Sequence, residues 1–169
     1  LFYTLSEDDG LTWRAPRELT DILADVPFSW LRIGTGPVHG IQLRNTQLAV
    51  PIWYCDGEPQ AKEKRYRAGV LLGNAEDGSL LLNMRGYKAG FRSVAHSDDR
   101  GATWSEAALV PSLPDTTCQG SLLRLQDGRV LFSNVPGTSR EKLTLALSED
   151  DGETWGGSQV LEQGPSAYA

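Results

Sequence analysis

Three things are scarce in this sequence, and each absence removes a class of protein. Positive charge is short: 16 Lys and Arg stand against 22 Asp and Glu, a net charge of −6. A general polyanion binder needs a basic face, so nucleic acid is not expected as a partner. Long apolar runs are missing. Stretches such as "GVLLG" and "SLLLNM" are strand-sized, well below the ~20 residues of a membrane span. Cysteine is limited to Cys55 and Cys118, which form neither a metal-ligand cluster nor a disulfide framework and are expected as small buried residues. His39 and His96 lack the partners of a metal site, so no metal or other cofactor is expected. The N-terminus "LFYTLSEDDG" has no basic region leading into an apolar one, so it does not read as a signal peptide. It reads as the end of a strand already under way. Helical spacing is nearly absent, and "PRELTDILADV" supports one or two turns at best.

What is present is a repeat. "SEDDGLTW" at 6–13 returns as "SDDRGATW" at 97–104 and "SEDDGETW" at 148–155. Each octet has a turn mechanism: Asp8, Asp99 and Asp150 can accept backbone N–H bonds, and the Gly two places on tolerates a positive φ. A short alternating or apolar run precedes each octet, and Asp-Gly pairs precede further strand-like runs in "AEDGSLLLNM" and "LQDGRVLFSN". The chain is therefore expected to be all-β, a single domain over 1–169. Boxes two and three begin 51 residues apart, about one four-stranded propeller blade. Boxes one and two begin 91 apart, too long for one blade and short for two.

These octets resemble the Asp-box repeats of sialidases, and also of some glucan hydrolases and sorting receptors. By themselves they imply a β-propeller and no chemistry. The segments between them are more specific. "GPVHGIQLRNTQLAVPIW", "LLLNMRGYKAGFRSVAHS", "TTCQGSLLRLQDGRVLFSNVPGTSR" and "GPSAYA" resemble, in order and wording, the exo-α-sialidases. That resemblance implies a six-bladed propeller, of which about three blades are present here. It also implies a retaining hydrolase that removes terminal sialic acid from glycoconjugates. In that family three arginines grip the sialic acid carboxylate, a tyrosine paired with a glutamate attacks the anomeric carbon, and an aspartate is the acid/base.

The physical logic fits those residue types. Sialic acid carries its carboxylate on the anomeric carbon, so a carboxylate nucleophile would meet an anion head-on, whereas a neutral phenol would not. A phenol with a pKa of about 10 needs a neighbouring base to act near neutrality. Arginine meets a carboxylate with two parallel hydrogen bonds. By this resemblance Arg92 in "GFRSVAHS" and Arg140 in "NVPGTSR" match two of the substrate-binding arginines, and Tyr168 in "GPSAYA" matches the nucleophile. Within its otherwise apolar strand, the Arg92 guanidinium must be exposed or paired. Gln119 matches a position near the pocket in some relatives, and Arg85 and Arg124 read as structural.

The departures from the family pattern are specific too. The first arginine and the acid/base aspartate belong to an N-terminal blade that the chain lacks. The position of the glutamate is occupied by Gly69, with Glu63 and Glu76 out of register. Judged against the spacing of the family it resembles, a deletion of roughly thirty residues would explain both the missing box and the missing glutamate. The isolated chain is accordingly expected to hydrolyse sialosides poorly. A non-catalytic propeller that binds sialic acid or protein is the competing reading. A glucan hydrolase is disfavoured, because three of the five Trp serve the boxes and only Trp30 and Trp53 remain to stack on sugar. Sialylated glycans are the expected partners. Open propeller edges invite self-association, and the family resemblance implies an extracellular or periplasmic location.

Overall fold

The computed structural model describes residues 2–19, 31–36, 39–42, 48–56, 65–73, 77–85 and 90–169. Among these there are fourteen strands and no helix. They are β1 (Phe2–Tyr3), β2 (Arg17–Glu18), β3 (Arg32–Thr35), β4 (Ile41–Gln42), β5 (Leu48–Ala49), β6 (Ile52–Asp56), β7 (Arg65–Gly73), β8 (Leu80–Met84), β9 (Phe91–Ser97), β10 (Ala108–Pro114), β11 (Ser121–Arg124), β12 (Val130–Asn134), β13 (Glu141–Ser148) and β14 (Gly156–Pro165). The candidate helix near "PRELTDILADV" contributes Arg17 and Glu18 to β2, and most of it lies outside the described residues.

Side-chain alternation explains the strands. In β12, "VLFSN" buries Val130, Phe132 and Asn134 while Leu131 and Ser133 stay partly exposed. The C-terminal half of β13 alternates in the same way. The Asp-Gly signals form turns: Gly128 takes φ +89 between β11 and β12, and Gly78 takes φ +85 ahead of β8. Without a Cβ, glycine enters that region at little steric cost.

One antiparallel sheet runs β11-β12-β13-β14 and forms a complete four-stranded blade. A six-stranded sheet runs β10-β9-β8-β7-β6-β3. Within it β7 changes partner midway. Arg65 to Ala68 pair with β6, and Gly69 to Gly73 pair with β8. The second half of β7 with β8, β9 and β10 is a second blade. The first half, with β6 and β3, belongs to a third. Together with the β1-β2 and β4-β5 hairpins, this accounts for about three propeller blades. The single strand β7 stands in the interval where the sequence lacks an Asp box.

The core lies between the two complete blades. Leu81, Val94 and Leu113 of the second blade pack with Leu122, Val130, Phe132, Ala146 and Trp155 of the last. Phe132 meets Trp155 edge-on, with ring centroids 5.7 Å apart. Each large side chain buried this way contributes about 1.5–3 kcal/mol.

Candidate functional site

The three boxes form the same turn. Ser6, Ser97 and Ser148 hydroxyls donate to the following Asp Oδ1 at 2.8, 2.9 and 2.8 Å. The same Asp oxygen accepts from the amides of Thr12, Thr103 and Thr154 at 2.9, 2.8 and 2.8 Å. The Thr hydroxyls donate to the second carboxylate oxygen, and each Trp Nε1 donates to the box Gly carbonyl. With no positive charge involved, these hydrogen bonds, that from the Thr hydroxyl foremost, lower the Asp8 and Asp99 pKa values to about 2 and lower that of Asp150. Both oxygens of each carboxylate serve the turn, which leaves the box a structural role. Trp13 is 62% exposed, Trp104 39% and Trp155 9%. Of the three, Trp155 alone is part of the buried core between the two complete blades.

Arg92 and Arg140 lie at the other ends of the strands that lead into boxes two and three. Arg92 is the second residue of β9, whose last residue Ser97 begins box two. Arg140 immediately precedes β13, whose last residue Ser148 begins box three. At about 3.3 Å per residue, each arginine is roughly 15–25 Å from its box.

Arg92 is 2% exposed and paired, as its apolar strand requires. Its Nε donates to Asn83 Oδ1 at 2.6 Å and its Nη1 to the Cys118 carbonyl at 3.0 Å. Asp115 Oδ1 lies 3.6 Å from Nη1, and the Phe132 ring lies beneath the guanidinium at 5.3 Å. Burial lowers the Arg92 pKa to about 10 and Asp115 opposes that shift, so Arg92 remains charged at neutral pH. Beside this cation, Asn83 Nδ2 and Arg85 Nε are buried donors with no hydrogen-bond partner among the described residues. A buried donor left unmade costs about 1–3 kcal/mol, so this corner of the molecule favours an incoming oxygen acceptor.

Arg140 and Tyr168, by contrast, are exposed. The Arg140 Cζ sits 5.3 Å from the centroid of the Tyr168 ring. The Tyr168 hydroxyl is the foremost cause of a raised Arg140 pKa. Ser166 N–H donates to the Arg140 carbonyl at 2.9 Å, Tyr168 N–H donates to Cys118 Sγ at 3.3 Å, and Ser121 Oγ donates to the Ala169 carbonyl at 2.9 Å. Arg92, Arg140 and Tyr168 thus gather around Cys118, one arginine held inside and the other presented to solvent.

Gln119 is half-buried next to Cys118. Gly69 lies in β7 opposite Met84, while Glu63 and Glu76 fall outside the described residues. Cys55 and Cys118 are buried thiols outside any disulfide, as expected. His39 is exposed just ahead of β4, and His96 Nε2 lies 3.6 Å from Glu153 of box three. Arg124 bridges to Asp151 and donates to the Gly128 carbonyl, a structural role. Among the described residues no His, Cys, Asp or Glu group could hold a metal ion. The sequence reading missed Asn83, Asp115 and Cys118. The "LPDTTC" stretch carried a local sign, an Asp three residues ahead of the Cys whose amide it caps, but nothing pointing to Arg92.

The profile of the BNR repeat-like domain matches residues 70–169. A sialidase of Bacteroides fragilis (strain YCH46) is 31% identical across 89% of this chain and 32% of its own length. An exo-alpha-sialidase of Aspergillus fumigatus is 33% identical across 89% of this chain and 39% of its own. Among solved structures, the Hadza microbial sialidase Hz136 superposes with a TM-score of 0.76 at 27% identity, over 97% of this chain and 37% of that one. The leech intramolecular trans-sialidase shares the fold, with a TM-score of 0.73 at 18% identity over 98% of this chain and 30% of its own. The chain spans about a third of the length of the relatives it matches.

Proposed function

Since this chain belongs to the BNR repeat-like family and is homologous to the sialidases, we propose that it carries the carboxylate-binding and nucleophile-bearing part of an exo-α-sialidase site. Its substrates are terminal sialic acids on glycans and glycoproteins. The observation that carries the reading is the Arg140 guanidinium over the Tyr168 ring at 5.3 Å, tied through Cys118 to the buried Arg92 cation.

In this reading Arg140 meets the sialic acid carboxylate directly. Arg92 adds positive charge behind it, and the unpartnered donors of Asn83 and Arg85 are available to oxygen. Tyr168 Oη then attacks the anomeric carbon while the glycosidic C–O bond breaks. The phenol proton passes to a base, and the leaving oxygen takes a proton from an acid. Water subsequently cleaves the tyrosyl–sugar bond, so the sugar leaves with its configuration retained. The family's base position holds Gly69 here, and a positioned acid or base is worth about 10²–10⁴ in rate. The isolated chain therefore binds sialic acid and turns over sialosides poorly.

The same Gly69, set in β7 opposite Met84, favours a second reading, a sialic-acid-binding propeller without chemistry. Two measurements on the purified chain separate the readings: sialic acid binding by saturation-transfer NMR, and product release from a fluorogenic sialoside with Tyr168→Phe alongside. Turnover abolished by Tyr168→Phe supports the hydrolase. Binding without turnover supports the lectin-like form, and loss of both ends the sialic-acid assignment. The edge strands β3, β10, β11 and β14 present backbone groups to which a second copy could pair, which gel filtration reads directly. No described helix is long and apolar enough to cross a membrane, and action on glycoconjugates fits an exported protein.

A further inference from the structure

Cys118 stands where the candidate residues meet, and each of its polar atoms is in use. Its N–H donates to Asp115 Oδ1 at 3.3 Å, its carbonyl accepts from Arg92 Nη1 at 3.0 Å, and its sulfur accepts from the Tyr168 N–H at 3.3 Å. The residue is 1% exposed, so water does not replace these partners. Asp115 faces both Cys118 and Arg92 and is itself fixed, its amide donating to the Gly90 carbonyl at 2.9 Å. The loop between β10 and β11 is tied down as well: Thr116 Oγ1 donates to the Val135 carbonyl, and Asn134 Nδ2 to that of Pro114.

Tyr168 needs such an anchor. Its φ is +57, a left-handed backbone that L side chains avoid, and its side chain is 64% exposed. Little packing holds it. Backbone atoms of the 166–169 segment take part in three hydrogen bonds: Ser166 to Arg140, Tyr168 to Cys118, and Ala169 to Ser121. The middle one acts on the Tyr168 backbone, while Arg140 lies over its ring.

We propose that Cys118 is a positioning residue of this site, its main chain fixing the buried Arg92 cation and its thiol fixing the backbone of Tyr168 beside Arg140. The proposal rests on the reading of Arg92, Arg140 and Tyr168 given above. It adds that the separation between anion grip and phenol is set by one buried residue in the crossover between two blades. Substitution of the thiol by an apolar group would leave Arg92 in place and release Tyr168.

The test uses the full 169-residue chain, isotopically labelled, as wild type, Cys118→Val, Cys118→Ser and Arg140→Gln. Three quantities are read: exchange of the Tyr168 amide, the Tyr168 ring resonances, and the dissociation constant for 2-deoxy-2,3-didehydro-N-acetylneuraminic acid. Cys118→Val removes the acceptor and adds one heavy atom at the buried site. It is expected to speed Tyr168 amide exchange at least ~10-fold and to move the ring resonances toward those of Arg140→Gln. Binding should weaken about 3–10-fold, the loss of one ordinary hydrogen bond. Cys118→Ser restores an acceptor and should recover most of each effect, which a merely volumetric role would not do. If Cys118→Val does not fold, Cys118→Ala takes its place in the comparison with Cys118→Ser. Wild-type exchange and ring resonances in the apolar variant would overturn the proposal, as would failure of Cys118→Ser to rescue. A wild type that does not bind the analogue, yet shows the expected Tyr168 responses, would overturn the sialic-acid reading and support the positioning role.

Discussion

Leu81 Cδ2 stands 2.5 Å from the point a Cβ on Gly152 would occupy. Box three is seated directly on β8 of the neighbouring blade, and its glycine is required both for space and for a φ of +93. Gly152→Ala is expected to cost about 2–4 kcal/mol, combining a left-handed backbone with overpacking. Gly10 has a similar φ of +88, but its nearest atom is Trp13 Cζ2 at 3.8 Å, so Gly10→Ala should cost only about 1–2 kcal/mol. Urea unfolding of the two variants measures the difference. Equal losses would mean that the contact between blades carries no weight.

The box carboxylates give the fold a defined response to acid. Hydrogen bonds, that from Thr103 foremost, hold the Asp99 pKa at about 2, below its ordinary 3.8. A lowered carboxylate pKa stabilises the fold above the unfolded value and loses that contribution as pH falls through the folded value. Thr103→Val should therefore lower the melting temperature near neutrality and down to about pH 4. The gap to wild type should close as pH falls from about 4 to 2. A gap that stays constant over that range would place the Thr103 contribution elsewhere.

The two arginines should separate stability from binding. Arg92→Met strips the partner from Asn83 Oδ1 and the Cys118 carbonyl inside the core. It should cost about 3–5 kcal/mol, the usual penalty for breaking a buried charged network. Arg140→Gln touches an exposed side chain whose recorded contacts are with Tyr168, and should change stability by about 0.5–1 kcal/mol. Each should weaken binding of a sialic acid analogue about tenfold or more. Thermal melts and NMR titrations on the same samples decide the point. Retained affinity in Arg140→Gln would remove it from the site.

Both thiols should be silent in the native protein. Cys55 and Cys118 are thiols at most 1% exposed, and thiol reagents need access to a thiolate. A chromogenic disulfide reagent should react with neither cysteine in buffer and with both in urea. Rapid labelling of Cys118 in buffer would show that the 166–169 segment opens readily.

The box turns were legible in the sequence because every partner lies within eight residues: Ser148, Asp150, Gly152, Thr154 and Trp155 complete the third one by themselves. The pairing of Arg92 was legible as a requirement, since a guanidinium in an apolar strand has few alternatives. Its partners were not. Asn83 reaches it through the β8-β9 register, and Cys118 through a crossover 26 residues downstream. Neither relation has a spacing signature. The Tyr168–Cys118 contact joins residues 50 apart through a sulfur acceptor, a partner that no pattern of polar residues announces. The partner exchange in β7 was hidden for another reason. "RYRAGVLLG" reads as one uninterrupted strand, and hydropathy does not say which neighbour each half will choose.

That exchange bears on how the molecule comes apart. Backbone pairing on β6 and on β8 is templated by one continuous strand, with the handover between Ala68 and Gly69. Fraying of either half removes the fixed end from which the other half is zipped. The two parts of this sheet therefore lack the independence of ordinary repeat modules, whose stabilities add as neighbours. They should open and close as a single cooperative unit whose seam is a strand, where a conventional propeller has a loop.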